Sequence, residues 1–381
     1  MANRIRLTLT SFLAYAVMAG MLSQIGIMIN PMAEHFGNDV TEIASLFSWL
    51  TVGILIGSIV SLGIFDLVKI KTLNTIVLTS IILSIIGMSL ADNLTANSIF
   101  LGIIGLSCGI ALPAAAIVIA RTYQTQHRAT MLVITDASFS LSGALCSALA
   151  VMYFASGMNW SSGFSTVAIL AFVALFITLF STYPEVEAEE KLRPLEEIRS
   201  WPASIYLCMG ALFVYLLGQN FILIWLPAYA ETHEGVTSDQ AGALLSNFWA
   251  GMFIGQLIAV ALLIKIRVAL LAFVASILAF VATLPLWLLE DISLLSTVTF
   301  LWGMFTLGLL KLILSWATEM VSTPSPRLIS GLLMAATLGT AVSPALSSQL
   351  VALTNIQMPI QVGSICFFLV SALVVSARIK R

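Results

Sequence analysis

Long apolar runs follow one another along the chain, separated by short polar or charged interruptions. They lie near 5–32, 42–65, 72–91, 97–120, 129–155 and 162–182, then near 202–230, 239–264, 268–289, 293–318, 328–353 and 357–377. A helix rises about 1.5 Å per residue, so roughly 20 apolar residues cross the hydrocarbon core of a bilayer. Each run is about that long and none alternates in polarity, which argues against barrel strands. The pattern predicts an all-α membrane protein of twelve transmembrane helices. The first run spans without a cleavage-type site and reads as a retained helix rather than a secretory signal.

Composition sharpens this picture. Of 381 residues, 60% are apolar and only 9% are charged, against about a quarter charged in a soluble domain. A net charge of −2 gives no sign of nucleic-acid binding. No phosphate loop, nucleophile elbow or His-Glu-x-x-His motif occurs. Cys108, Cys146, Cys208 and Cys366 all lie in apolar runs and read as packing residues. No cofactor or metal site is expected, and an enzyme is disfavoured because no nucleophile, base or metal set clusters.

The positive charges give the orientation, because Lys and Arg near span ends stay on the cytoplasmic side. Arg4, Arg6, Lys69, Lys71, Arg121, Arg128, Lys191, Arg193, Arg199, Lys265, Arg267, Arg327, Arg378, Lys380 and Arg381 make up fifteen of the sixteen basic residues, and all fall on one side of the twelve-span parsing. The opposite connections carry acidic residues such as Glu34, Asp92, Glu231 and Glu290. Both termini are therefore expected in the cytoplasm. The one soluble-looking stretch sits near the midpoint. It divides the chain into an N-terminal six-helix bundle over 1–183, a cytoplasmic linker over 184–200 and a C-terminal six-helix bundle over 201–381.

The two halves resemble each other at an offset of 196 to 198 residues. Leu46, Ser48, Gly53, Ile56 and Gly57 recur in register as Leu244, Ser246, Gly251, Ile254 and Gly255, and Lys69 and Lys71 recur as Lys265 and Arg267. Such matches are what duplication of a six-helix unit leaves. Gly53/Gly57 and Gly251/Gly255 form small-x-x-x-small faces that let backbones approach closely in lipid. Static packing is the simpler reading of these faces and sliding during transport the alternative.

Twelve spans in two repeats, with both termini inside and a charged central linker, resemble the major facilitator superfamily. Within it, Arg4-Ile5-Arg6-Leu7-Thr8, Thr135-Asp136-Ala137-Ser138-Phe139-Ser140, Ser246-Asn247-Phe248-Trp249 and Pro324-Ser325-Pro326-Arg327-Leu328 are similar to the TsgA-like branch of the fucose:proton symporter family. The resemblance implies a rocker-switch transporter with a central cavity between two bundles. The superfamily's connection after span two survives as Gly63-Ile64-Phe65-Asp66-Leu67-Val68-Lys69-Ile70-Lys71. The interiors of spans one and four lack the carboxylates of the fucose-type carriers.

Only Asp136 and Lys311 place charge well inside a span. A charge at the bilayer centre costs about 2.5–3.5 kcal/mol on insertion scales, so each should face a cavity or a partner. Asp136 follows Arg128 by eight residues and Lys311 precedes Glu319 by eight, which is about 12 Å of helix in each case. The two charges should therefore share one depth. They are candidates for a proton-coupling or gating pair that holds the outward-facing state. Separate proton and substrate roles, a structural pair, or a lysine snorkelling to the interface are the alternatives.

Gln24, Asn30, Gln219, Asn220, Asn247 and Gln256 are neutral substrate-binding candidates. Interhelical hydrogen bonding is the competing reading of each. Gly218-Gln219-Asn220 is also a candidate helix break. Trp49 and Trp249 either stack on a solute ring or fill a groove. Trp160, Trp201 and Trp287 read as interfacial anchors. His35, His127 and His233 fall in or beside loops without ligand spacing.

The expected function is secondary active transport of a small polar or anionic organic solute, proton-coupled, by a monomer in a bacterial cytoplasmic (inner) membrane. The partners are the solute, protons and the lipid bilayer. The alternatives are an uncoupled uniporter or exporter, a lipid scramblase, or a non-transporting scaffold.

Overall fold

In a computed structural model of the chain, the apolar runs become helices whose ends fall within a few residues of the charges and turn residues that delimit them. The structure describes residues 2–38, 40–184, 198, 200–232, 236, 238–321 and 324–379. Most of the 184–200 linker, His233, Lys191, Arg193, Arg199, Lys380 and Arg381 lie outside the described residues, as does the side chain of Asn30.

Every regular element among the described residues is helical. The first half contains α1 (Ala2–Ser23), α2 (Ile25–Phe36), α3 (Val40–Leu67), α4 (Ile70–Leu90), α5 (Leu94–Thr122), α6 (Thr125–Ala155), a 3-10 turn (Trp160–Phe164) and α7 (Ser165–Leu179). The second half contains α8 (Ala203–Ala230), α9 (Ser238–Leu262), α10 (Val268–Thr283), α11 (Ile292–Phe305), α12 (Leu309–Thr318), α13 (Pro326–Leu353) and α14 (Met358–Ile379). Eleven helical stretches among the described residues are long and apolar enough to cross a membrane. α13, a 28-residue helix, occupies the remaining predicted span.

Two predicted spans are each made of two helices. The first divides at Gln24, whose side-chain Nε2 donates to the Gly20 carbonyl at 2.9 Å. That carbonyl is the acceptor the Gln24 backbone N–H would take in an unbroken helix, and a side chain inserted into the ladder is a recognised cause of a kink. The tenth divides at residues 306–308, between α11 and α12.

Chain contacts define two compact units. One comprises Met1–Gln124, Ser138–Lys191 and Ser325–Ser330, and the other Thr125–Ala137, Leu192–Pro324 and Gly331–Arg381. In the first, α3 packs along α5, α5 also meets α1 and α4, and α7 covers α1 and α4. A Cβ on Gly53 or Gly57 would collide with the carbonyls of Gly102 or Leu106, and one on Gly105 or Gly109 with those of Leu50 or Ile54. The helices touch backbone to backbone, where dispersion and weak Cα–H contacts replace the hydrophobic drive that lipid removes.

In the second unit α9 packs along α11, and α8 along α14. The same device recurs there: a Cβ on Gly251, Gly255 or Gly303 would meet the carbonyl of Phe300, Met304 or Phe248. Trp302 anchors this region, tilted against Phe248 at 4.3 Å between ring centres and edge-on to Phe367.

The end of α7 in the first unit is fastened by Tyr183. Its hydroxyl is buried within 3.1 Å of Asn74 Nδ2, 3.2 Å of Thr178 Oγ1 and 3.3 Å of Thr10 Oγ1. Trp160 is also buried in this unit, against His35 and Phe36, and so is a packing residue rather than the interfacial anchor expected of it.

Candidate functional site

The charges in the membrane-spanning region assemble around the interruption between α11 and α12. Leu307 and Gly308 take φ values of 49° and 68°, and Leu307 is the one non-glycine residue with positive φ among the described residues. For a branched side chain this backbone costs about 1–2 kcal/mol, so it persists only where packing enforces it. Gly308 occupies the left-handed region at the N-cap of α12, and a Cβ there would lie 3.2 Å from Gln256 Cγ. The chain turns and restarts as α12, whose third residue is Lys311.

Lys311 is 1% exposed, and its Nζ stands 3.7 Å from Asp136 Oδ1. Gln256 of α9, itself fully buried, donates from Nε2 to Asp136 Oδ2 at 2.9 Å. Tyr215 of α8 is buried, carries its hydroxyl within hydrogen-bonding reach of Thr306 in the break, and lies in the electrostatic field of Asp136. Two turns before Asp136, Arg128 lies in the field of Glu319 at the C-cap of α12. The same two segments are therefore electrostatically coupled at both levels. Asp136, Gln256, Lys311, Tyr215 and Thr306 all belong to the second compact unit.

A cluster of this kind is costly unless it is complete. Breaking a buried ion pair by removing one partner costs about 3–5 kcal/mol, because the remaining charge keeps its desolvation penalty. The carboxylate here receives a lysine on one oxygen and an amide on the other. It can exchange these partners for a proton or a ligand, but it cannot simply lose them.

The other candidates lie on several helices. Gln219 lies in α8 with its Oε1 buried and without a hydrogen-bond partner. Asn220, next to it, donates to the Leu216 carbonyl at 2.7 Å and to Thr340 Oγ1 at 3.4 Å. The candidate break at Gly218-Gln219-Asn220 does not occur, since α8 runs unbroken from Ala203 to Ala230. Gly218 serves close packing instead: a Cβ there would lie 3.1 Å from the Gly363 carbonyl and closer still to Cys366 Cβ of α14.

Asn247 donates to Ser296 Oγ at 2.6 Å, an interhelical bond between α9 and α11. Trp249 meets Phe248 edge-on at 5.3 Å. In the first unit Gln24 is fully buried with Oε1 unpartnered, and Trp49 is 56% exposed on α3. The four cysteines are free and buried.

One pair escaped sequence reasoning. Arg327, in the first turn of α13, forms a salt bridge with Asp66 near the end of α3, both within the first unit. A cation in the first turn is opposed by the positive end of the helix dipole, and Asp66 offsets that. Ser325 Oγ accepts from the Leu328 N–H at 3.0 Å, capping the same turn. The signal was the lone acid of the Gly63–Lys71 stretch, with Arg327 counted only as an orienting charge.

Comparison with known proteins gives this geometry a family. A model described as Major Facilitator Superfamily matches residues 7–324. The chain belongs to the major facilitator superfamily. Among curated relatives, the Protein TsgA homolog of Yersinia pestis (strain Pestoides F) is 26% identical over 369 residues, which is 95% of this chain and 92% of that one. Two solved structures share the fold of this major facilitator. FucP in its outward conformation superposes with a TM-score of 0.79 at 14% identity, covering 98% of each chain. The human organic anion transporter MFSD10 (TETRAN) gives 0.78 at 15% identity, again over 98% of each chain. The protein is a multi-span transporter of this superfamily and not an enzyme.

Proposed function

We propose that this transporter moves a small polar or anionic organic solute together with protons by rocker-switch alternating access. The reading carries twelve spans in two six-helix bundles, 1–183 and 201–381, joined by the 184–200 linker. Both termini face the cytoplasm of a bacterial inner membrane, and the protein acts as a monomer. The segregation of basic residues supports the orientation.

One observation carries the mechanism: a buried lysine 3.7 Å from a partly buried aspartate at a break in a membrane-spanning helix. Discontinuous helices at mid-membrane are where secondary transporters build ion and substrate sites. In the resting state Asp136, ionised, balances Lys311. Protonation of Asp136, or an anion arriving at Lys311, removes that attraction and biases the equilibrium between conformations, since a ligand shifts an equilibrium only through its differential affinity for the two states. A second structure of FucP describes it as the E. coli fucose:proton symporter, which supports proton coupling in a protein of this fold.

The test is reconstitution into proteoliposomes with a pH-sensitive dye inside. A panel of sugars, carboxylates, amino acids and nucleosides is presented with and without an imposed pH gradient. One solute class is expected to drive proton entry in the wild type, and Asp136→Asn is expected to abolish that entry. Uptake indifferent to the gradient would instead identify an uncoupled uniporter.

A further inference from the structure

The polar groups around the helix break are complementary to a particular kind of molecule. Lys311 lies in the first turn of α12, where the backbone N–H groups of the helix start add to its positive field. Its 3.7 Å separation from Asp136 Oδ1 is looser than the 2.7–2.9 Å of a direct ammonium–carboxylate bond, while Gln256 holds the other carboxylate oxygen at 2.9 Å. The carboxylate thus stands between the Lys311 ammonium and the Gln256 amide.

The second part of the pattern is on α8. Tyr215 reaches the break at Thr306 and lies in the field of Asp136. Gln219 follows it by one turn, and side chains four apart stand one above the other on a single helix face. Side chains on a helix lean back toward its N-terminus, which brings Gln219 over the turn of Tyr215. Its Oε1 is buried and has no hydrogen-bond partner, a state that is costly until a donor arrives. Among the described residues, the charged and titratable groups facing the carboxylate are Lys311 from α12 and Tyr215 from α8, with the neutral amide of Gln256 from α9.

We infer that the solute is a short monocarboxylate bearing a hydroxyl group, a 2- or 3-hydroxy acid. Its carboxylate takes the place of Asp136 beside Lys311 as Asp136 accepts a proton, and its hydroxyl donates to Gln219 Oε1. This rests on the transport reading above and names its substrate class. A neutral sugar would leave Lys311 without an anion once Asp136 is protonated. An amino acid would bring a second cation beside the first. The exchange balances: one negative charge and one proton enter together, the site stays neutral, and the transport cycle moves no net charge.

The experiment uses the purified wild-type protein and four probes: lactate, glycerate, propionate and 1,2-propanediol. Apparent affinity is read from ligand-dependent shifts of the thermal transition, and uptake from proteoliposomes. Lactate or glycerate is expected to bind about tenfold more tightly than propionate, the size of one hydrogen bond, and propanediol not at all. Gln219→Leu should bring the hydroxy acids to the level of propionate, and Lys311→Gln should abolish binding of every carboxylate. Uptake should follow a pH gradient and ignore a valinomycin-set potential. Equal affinity for lactate and propionate in the wild type, binding of the neutral diol, or uptake driven by potential would overturn the inference. A pH gradient that accumulates a sugar but no hydroxy acid would sink the substrate class and leave proton coupling standing. Hydroxy acid uptake blind to pH would do the reverse.

Discussion

Helix α5 and the broken pair α11–α12 occupy corresponding places in the two halves, 198 residues apart, and they differ at a single turn. Gly105 of α5 corresponds to Gly303 of α11, and both press their bare backbone against a neighbouring helix. One turn on, Gly109 of α5 repeats the contact against the Ile54 carbonyl. Its counterpart is Leu307. A Cβ at Gly109 would strike backbone, so a leucine at the matching place cannot continue the same helix in the same embrace. The chain escapes through two left-handed residues and starts again. α5, by contrast, runs unbroken from Leu94 to Thr122, even through Pro113. Pro113 corresponds to Lys311. Close packing at Gly109 and a left-handed turn at Leu307 are thus alternative uses of one matching position, and the buried cation follows one turn later, at the place of Pro113.

The difference can be broken at its most expensive point first. Lys311→Met leaves Asp136 without its cation and should cost about 3–5 kcal/mol in thermal unfolding, whereas Pro113→Met in the first half should change stability far less. The double variant Lys311→Met, Asp136→Leu should recover most of the loss, because two apolar groups satisfy each other. Gly109→Leu, which gives the first half the residue of the second, should cost about 1–3 kcal/mol from overpacking against α3, read as a lower unfolding temperature. Gly308→Ala forces a side chain into the left-handed region near Gln256 and should cost about 1–2 kcal/mol. The smallest effect is expected of Leu307→Gly, which removes backbone strain and should stabilise the broken form by about 1 kcal/mol or less, part of the gain being lost to the greater freedom of the unfolded chain.

Much of this was readable without coordinates. The lengths of the apolar runs located the helices, and the register of Gly53, Gly57, Gly251 and Gly255 located two tight interfaces. The equal distances of Asp136 and Lys311 from flanking charges put them at one depth. The break itself was invisible: Leu307-Gly308 has no proline and lies in a run that reads as uninterrupted helix. The sequence pointed instead to Gly218, because a glycine announces either a bend or a close neighbour, and only the neighbour, here Gly363 of α14, tells which. Gln256 and Gln219 look alike as letters, yet one holds a carboxylate and the other keeps an oxygen unpaired. That distinction depends on partners distant in sequence.

Tyr183 has a practical corollary. Because its phenol ties the tail of α7 to Thr10 and Asn74 from two other helices, fraying of that tail has to break buried hydrogen bonds first. A reporter domain or a cleavage site spliced in just downstream of that tie has a structurally defined starting line.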